Sequence, residues 1–187
     1  DNVITAISTL RNLHTIKITE ENIKNGITKI KSSARLQEIL KGKIKNLAKN
    51  NKILIDGSHN PLGAKVLSKY LSNLNCKKHI ILGMMKNKDH EEYISFFKEV
   101  LTSLTTIDIP NQENSINGED LKNKISKLGL NPKSKKSVQE AISSLELNED
   151  DLIVITGSLY LAGEVLKLNL KLSNGIEESI KSLSKNE

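Results

Sequence analysis

The stretch that decides the fold is Asp151-Leu-Ile-Val-Ile-Thr156, followed at once by Gly157-Ser158. Its central residues are apolar and mostly β-branched, a pattern typical of a strand buried on both faces of a parallel sheet. Gly157 permits a sharp turn out of the strand, and residues 159–168 have the apolar spacing of a helix. The segment therefore predicts a strand leading directly into a helix, the repeating unit of an α/β fold.

The same unit occurs three more times upstream. Apolar strands are predicted at 53–55, 79–82 and 106–109, and the helical patterns that follow them cover 61–74, 89–104 and 118–128. One further helix, 137–145, follows a basic loop at 133–136. Because strand and helix alternate at least four times, we expect a mostly parallel sheet with helices on both faces. Ligands of such sheets bind beside the loops that follow the strands.

Two of these helices have clear apolar stripes, from which we predict their buried faces. In the first, the inward residues are expected to be Leu62, Val66, Leu67, Tyr70, Leu71 and Leu74. In the second they are expected to be Tyr93, Phe96, Phe97, Val100 and Leu101.

The segments at either end of the α/β pattern differ from it. Residues 1–32 predict two helices, the second capped by Thr19. Residues 35–40 fit a short strand or a helical turn, 41–52 a loop with or without a short helix, and 169–187 a polar tail. We therefore divide the chain into 1–32, 33–168 and 169–187.

The net charge of +6 is concentrated near the beginning of the chain. Residues 1–52 hold 11 basic and 4 acidic residues, whereas the remainder holds 17 and 18. Arginine clusters and interleaved aromatic residues, which base recognition uses, do not accompany this surplus, so we do not expect nucleic-acid binding. A basic surface facing an anion and an A/T-rich codon bias both remain open as explanations of the many lysines.

Other classes of protein are excluded by simple patterns. No apolar run is long enough to span a membrane, we expect no secretory leader, and the single Cys76 makes neither an internal disulfide nor a zinc site. We expect a monomer in the reducing cytoplasm. The histidines His14, His79 and His90 are isolated in sequence, and we predict neither a catalytic nucleophile nor a metal ligand.

The loop after the first strand reads Asp56-Gly-Ser-His-Asn-Pro61. A carboxylate at a strand end is suited to a sugar diol, so Asp56 is a candidate for ribose binding. His59 and Asn60 stand at the edge of the next helix, where free N–H groups favour an anion, and Pro61 suits the first helical position. The alternative is that Asp-Gly makes a turn and Asn60 only caps the helix.

Two other loops carry polar candidates. In Thr156-Gly-Ser-Leu-Tyr160, Ser158 either caps the following helix or holds a carboxylate or phosphate there. In Gly83-Met-Met-Lys-Asn-Lys-Asp89, Lys86 and Lys88 either neutralise an anion or are simply solvated.

Taken together, five segments resemble one family, the folylpolyglutamate synthases and the related bifunctional dihydrofolate synthases. The family's motifs are N-x-x-T-A-L, W-P-G-R-L/F-E/Q, D-G-A-H-N-P, G-x-x-x-x-K-D and T-G-S-L-Y. Their counterparts begin, in the same order, at Asn2, Ser32, Asp56, Gly83 and Thr156. The resemblance covers residues 2–168 and implies the Rossmann-like carboxyl-terminal domain of a Mur ligase, preceded by the last helices of its central ATP-binding domain.

The resemblance implies an ATP-dependent ligase of one-carbon metabolism. It would phosphorylate a carboxylate of dihydropteroate or folate and join L-glutamate to the acyl phosphate. By resemblance, Asn2 contacts adenine, Arg35 the ribose–phosphate side and Asp56 the ribose hydroxyls. His59 and Ser158 lie near glutamate, with Asn60 and Lys88 as further candidates.

The chain also departs from the family pattern. The family's phosphate loop and Mg²⁺ ligands belong to the preceding domains and have no counterpart here, so we expect the chain to be inactive alone and to need those domains in cis or in trans. Ser32-Ser-Ala34 replaces the expected W-P-G before Arg35. The alternative is a non-catalytic relic or binding module of a split or degraded folate ligase gene.

Overall fold

The computed structural model describes residues 2–13, 15–30 and 32–170. The chain forms two compact units, residues 1–33 and residues 34–187, which are described separately. The predictions for His14 and for the tail after 170 fall outside the described residues.

The first unit contains the two helices that the sequence predicts. Helix α1 spans Asn2–Arg11 and α2 spans Glu20–Thr28. The predicted cap is confirmed: the Asn22 N–H donates to Thr19 Oγ1, and the Thr19 N–H donates to Asn22 Oδ1, both at 3.1 Å. This reciprocal pair satisfies two of the backbone groups that a helix start leaves open.

The second unit is built on one six-stranded sheet. The strands are β1 Gln37–Glu38, β2 Lys52–Asp56, β3 Lys78–Leu82, β4 Ser103–Ile107, β5 Lys133–Lys135 and β6 Leu152–Thr156. They lie in the order β1-β2-β6-β3-β4-β5, and all neighbours are parallel except β1, which runs antiparallel to β2. The predicted mostly parallel α/β sheet is confirmed.

Helices cover both faces of the sheet. They are α3 Lys43–Leu47, α4 Pro61–Ser72, α5 His90–Ser95, α6 Gly118–Ser126, α7 Val138–Ser143, and α8, which begins at 159 and is described to 170. Alternation along the strands separates two apolar clusters. One holds Ile53 and Ile153 with residues of α3, α7 and α8, and the other holds Leu54 and Val154 with residues of α4, α5 and α6.

Three of the elements predicted between residues 89 and 136 differ from those in the structure. The helix predicted at 89–104 ends at Ser95, followed by turns, and β4 begins at Ser103 rather than 106. The chain joins the sheet early because the Thr102 N–H donates to the Lys78 carbonyl at 2.7 Å. The predicted basic loop at 133–136 contains the edge strand β5, whose lysines suit an exposed edge.

The predicted inward face of α4 is also partly wrong. Leu62, Val66 and Tyr70 are exposed. The buried residues are Ala64, Leu67, Ser68 and Leu71. Two of these are small, which lets the helix backbone approach the sheet closely, and a pattern that counts only large apolar residues misses them.

Candidate functional site

The order of the strands changes direction at β6, which returns to lie between β2 and β3 and is parallel to both. This position defines where a ligand crevice lies. The loop after β2 leads into α4 on one face, whereas the loop after the adjacent β6 leads into α8 on the other face. Adjacent strands with helices on opposite faces leave a crevice outside their carboxyl ends, the usual ligand position in such sheets. The loops beginning at Asp56 and Thr156 meet there.

Close backbone packing joins these two loops. The Gly157 N–H donates to the Ser58 carbonyl at 3.1 Å, and the Gly83 N–H donates to the Thr156 carbonyl at 3.2 Å. Gly157 has φ +104°, and a Cβ there would lie 2.7 Å from the Gly83 carbonyl oxygen. Both its conformation and its surroundings therefore require glycine.

Asp56 anchors the site from below. Its carboxylate is buried, and it accepts hydrogen bonds from the Ser58 N–H at 2.9 Å and the Leu36 N–H at 3.0 Å, one on each oxygen. The Gly57 N–H donates to the Ala34 carbonyl at 2.7 Å. These bonds bring the segment around the exposed Arg35 to the candidate loop.

The segment beside Arg35 has an unusual backbone. Ala34 has φ +56° and Leu36 has φ +46°, both in the left-handed region that favours glycine. Ala34 stands where the resembled W-P-G motif has its glycine, the residue type that this conformation favours.

His59 and Asn60 have different surroundings. His59 is half-buried, and its Nδ1 lies 3.2 Å from the Gly57 carbonyl oxygen. Because a carbonyl only accepts, Nδ1 carries the proton, and Nε2 of the neutral ring is an acceptor. Asn60 Oδ1 accepts from the Gly63 N–H at 2.8 Å, so Asn60 is the cap of α4, and Pro61 holds the first helical position.

Ser158 caps the helix that leaves β6, while the lysines lie on the loop after β3. Ser158 is buried, and its Oγ accepts the Tyr160 N–H at 3.1 Å. Lys88 is half-buried, whereas Lys86 is exposed and donates from Nζ to the Glu113 carbonyl at 3.0 Å. Asn2 belongs to the first unit, and its side chain is outside the described residues.

The sequence does not predict a cluster of three buried hydroxyls that lies beneath the loops. The hydroxyl of Tyr93, from α5, lies 2.8 Å from Thr156 Oγ1 and 3.0 Å from Ser58 Oγ, and it donates to the Ser58 carbonyl at 3.1 Å. Burial raises the pKa of Tyr93 to about 12, so the group stays protonated and neutral. The sequence placed Tyr93 in the core, and the available signal was that a buried tyrosine hydroxyl needs a partner.

The described residues give no sign of a metal centre or of a membrane segment. Among them, no group of three or more His, Cys, Asp or Glu side chains converges in a way that would hold a metal ion. Within the same ranges, every helix is too short or too polar to cross a bilayer.

The fold and the crevice define an α/β domain of the doubly wound type, with two loops suited to a ligand at the reversal point. The sequence places it further: the family model for the carboxyl-terminal domain of dihydrofolate synthetase matches residues 38–168. The chain belongs to this family. The resemblance inferred from the sequence motifs is thereby confirmed.

Solved structures of related enzymes share the fold. Escherichia coli FolC in complex with DHPP and ADP has a TM-score of 0.70 and 21% identity, over 89% of this chain and 38% of that one. A folylpolyglutamate synthase from Thermotoga maritima has a TM-score of 0.66 and 23% identity, over 90% and 37%. A bifunctional folylpolyglutamate synthase/dihydrofolate synthase from Yersinia pestis, with AMPPNP and Mn, has a TM-score of 0.69 and 16% identity, over 87% of this chain and 37% of that one.

The present chain thus spans less than two-fifths of the length of these enzymes. No curated protein matches its sequence.

Proposed function

We propose that the chain is the carboxyl-terminal part of an ATP-dependent ligase that adds L-glutamate to dihydropteroate or folate through an acyl phosphate. One observation carries the proposal: the two family motifs beginning at Asp56 and Thr156 meet in the crevice where the sheet reverses direction. We place this activity in the cytoplasm and expect the chain to act as a monomer, completed by the preceding domains of the enzyme.

In this proposal, nucleotide binding falls to Asn2, Arg35 and Asp56. Asn2 would contact adenine, Arg35 the ribose–phosphate side and Asp56 the ribose hydroxyls. Each oxygen of Asp56 accepts one backbone N–H, and a carboxylate oxygen has a second lone pair for a ligand hydroxyl. The same backbone bonds hold Arg35 near Asp56, which supports a common role for the two residues.

Glutamate binding falls to His59 and Ser158, with Asn60 and Lys88 as further candidates. In the neutral ring, Nε2 of His59 is suited to accept a proton from the amino group of glutamate. Ser158 stands at the amino end of α8, where unpaired N–H groups and the helix dipole favour a carboxylate. Lys88 would add a positive charge for the same anion.

The reaction would proceed in two steps. A carboxylate oxygen of the acceptor attacks the γ-phosphorus of ATP, and ADP leaves. The glutamate nitrogen then attacks the acyl carbon, the amide bond forms, inorganic phosphate leaves and the nitrogen loses a proton. This chain's contribution is to orient glutamate and the nucleotide. Mg²⁺, which would neutralise phosphate charge, is expected to be held by the preceding domains.

A second candidate function is a non-catalytic binding module that keeps the fold. The left-handed Ala34 favours it, because Ser32-Ser-Ala34 stands in place of the resembled W-P-G and holds the Arg35 segment in a strained backbone.

The proposed glutamate site is tested by adding millimolar L-glutamate to the ¹⁵N-labelled chain. We expect the amide signals of Gly57, His59 and Ser158 to shift together, and Ser158→Ala to remove the shifts. Ser137→Ala is the matched control, because Ser137 Oγ also accepts a backbone N–H at the start of its helix, α7, but lies on another loop. Shifts confined to other loops, or unchanged in Ser158→Ala, would contradict the proposal.

A further inference from the structure

Three polar side chains form a row at the amino end of the sheet, opposite the candidate site. His79 and Ser103 are register partners on β3 and β4, and His79 is also the partner of Ile153 on β6. Asp151 lies two residues before Ile153, so alternation places it on the same face. The sheet register therefore aligns His79 and Ser103 on adjacent strands, and Asp151, the residue immediately before β6, lies beside His79.

The side chains in this row are hydrogen-bonded to one another. His79 Nε2 lies 3.2 Å from Asp151 Oδ2, and His79 Nδ1 lies 2.8 Å from Ser103 Oγ. The histidine and aspartate side chains are only 7% and 5% exposed, so solvent screens their interaction weakly. The isolation of His79 expected from the sequence does not hold in the fold, because its partners come from 24 and 72 residues away.

The surroundings of Asp151 fix the direction of these hydrogen bonds. The Asn148 N–H donates to Asp151 Oδ2 at 2.8 Å, and this bond is the main cause of a lowered Asp151 pKa. An ionised carboxylate only accepts, so the nitrogen that faces it, His79 Nε2, carries a proton. In the neutral ring Nδ1 is then an acceptor, to which the Ser103 hydroxyl donates.

The row opens into a cavity of about 210 Å³. Ser103 and His79 line it, together with Asn131, Lys133 and Glu146. The Asn131 amide and the Lys133 ammonium are hydrogen-bond donors on its exposed rim, and the Glu146 carboxylate is an acceptor there. The volume suits a short acyl group.

We propose that Ser103 is a nucleophile activated by His79, with Asp151 as its positioning residue, and that the cavity takes short-chain carboxylic esters. Ser103 Oγ bonds to the ester carbonyl carbon while its proton passes to His79 Nδ1. The carbon–alkoxide bond then breaks, and the departing alkoxide takes that proton. Water releases the acid by the same proton path. A serine, a base and a carboxylate that orients the base are the groups this chemistry requires.

The test uses diisopropyl fluorophosphate on the whole folded chain, with labelled serines identified by peptide mass. In the reaction the Oγ–P bond forms, the P–F bond breaks and fluoride leaves. We expect Ser103 to be labelled at least about 100-fold faster than the exposed Ser95, consistent with general-base assistance. We also expect hydrolysis of p-nitrophenyl acetate that the label abolishes.

Variants separate nucleophilic activation from a purely structural row. Asp151→Asn is expected to slow labelling by a factor of at least about 100, and Ser103→Ala to remove ester hydrolysis. Ser95→Ala should leave hydrolysis unchanged. Circular dichroism checks that each variant is folded, and His79→Gln replaces Asp151→Asn if the latter unfolds. The proposal would be overturned if Ser103 in the folded chain is labelled no faster than Ser95. It would also be overturned if the folded Asp151→Asn variant, or His79→Gln in its place, is labelled at Ser103 as fast as the parent chain.

Discussion

The Tyr93 hydroxyl holds together the two loops of the candidate site. It bonds to Ser58 on the loop after β2 and to Thr156 at the end of β6, from a helix that belongs to neither loop. A buried hydrogen bond contributes about 1 kcal/mol, and a buried group left unpaired costs more. The loops proposed to bind glutamate therefore depend on a side chain that is fully buried beneath them.

Replacing Tyr93 with Phe is expected to lower the free energy of unfolding by about 1–2 kcal/mol. The ring keeps its packing against Phe97, so the loss comes from the hydroxyl. Tyr70→Phe is the control, because Tyr70 is 40% exposed and should change stability by less than about 0.5 kcal/mol. Urea unfolding measures both, and equal effects would show that the cluster does not stabilise the site.

Stability should fall in mild acid because of His90. Burial is the main cause that lowers its pKa below 6.5, with Lys124 adding to the effect, while the hydrogen bond to the Met85 carbonyl and the carboxylates of Asp89 and Glu91 oppose it. The unfolded chain therefore binds the proton first. The free energy of unfolding is unaffected well above pH 6.5 and decreases as the pH falls through 6.5 toward the lowered value.

His90→Gln removes this titration, so the variant should lose less stability than the parent between about pH 7.5 and 5.5. Denaturant unfolding at several pH values measures how steeply the free energy of unfolding falls with pH in the parent and in the variant. If the two dependences are identical in this range, the lowered pKa of His90 is not what destabilises the folded chain.

At the scale of elements, two glycines with open surroundings should respond oppositely to substitution. A Cβ at Gly129 or at Gly163 meets no atom within 4 Å, but Gly129 has φ +79° after α6, whereas Gly163 lies inside α8. Gly129→Ala should cost about 1–2 kcal/mol through left-handed strain. Gly163→Ala should add about 1 kcal/mol through helix propensity.

Thermal unfolding of the two glycine variants measures whether each substitution raises or lowers the stability. The pair is matched in volume added and in the absence of a clash. A stabilising Gly129→Ala would mean that the turn after α6 adopts another backbone in solution.

Most of the helices and strands could be predicted from the sequence. Their ends and their buried faces could not. The apolar runs around Ile53, Ile80 and Ile153 predicted β2, β3 and β6, because buried parallel strands need continuous apolar side chains. The early end of α5 and the edge strand β5 were not predicted, since turns and pairing partners decided them rather than local pattern. The buried face of α4 depended on the small Ala64 and Ser68, which a hydrophobic stripe does not reveal.

Some features of the candidate site could likewise be predicted from the sequence, and others could not. Its loops could be located because strand ends, glycines and family motifs are local features of the sequence. The Tyr93 cluster and the His79 row could not, because their members are 24 to 98 residues apart and meet only through the sheet register.

At the scale of the whole molecule, the chain provides only one part of the proposed ligase. It spans 38% of the length of E. coli FolC, and the proposal assigns the phosphate loop to the part it does not span. We therefore expect the isolated chain to bind Mg·ATP weakly or not at all. Calorimetry that finds micromolar affinity would contradict this division of the nucleotide site.

The central claim is tested most directly by ADP release in trans. The chain is mixed with an amino-terminal region of a folate ligase that carries the phosphate loop, together with Mg·ATP and dihydropteroate or folate. We predict that ADP release requires both proteins and L-glutamate, and that Ser158→Ala reduces it while Ser137→Ala does not. No glutamate-dependent ADP release, with both proteins shown to be folded, would contradict the ligase assignment and favour the non-catalytic module.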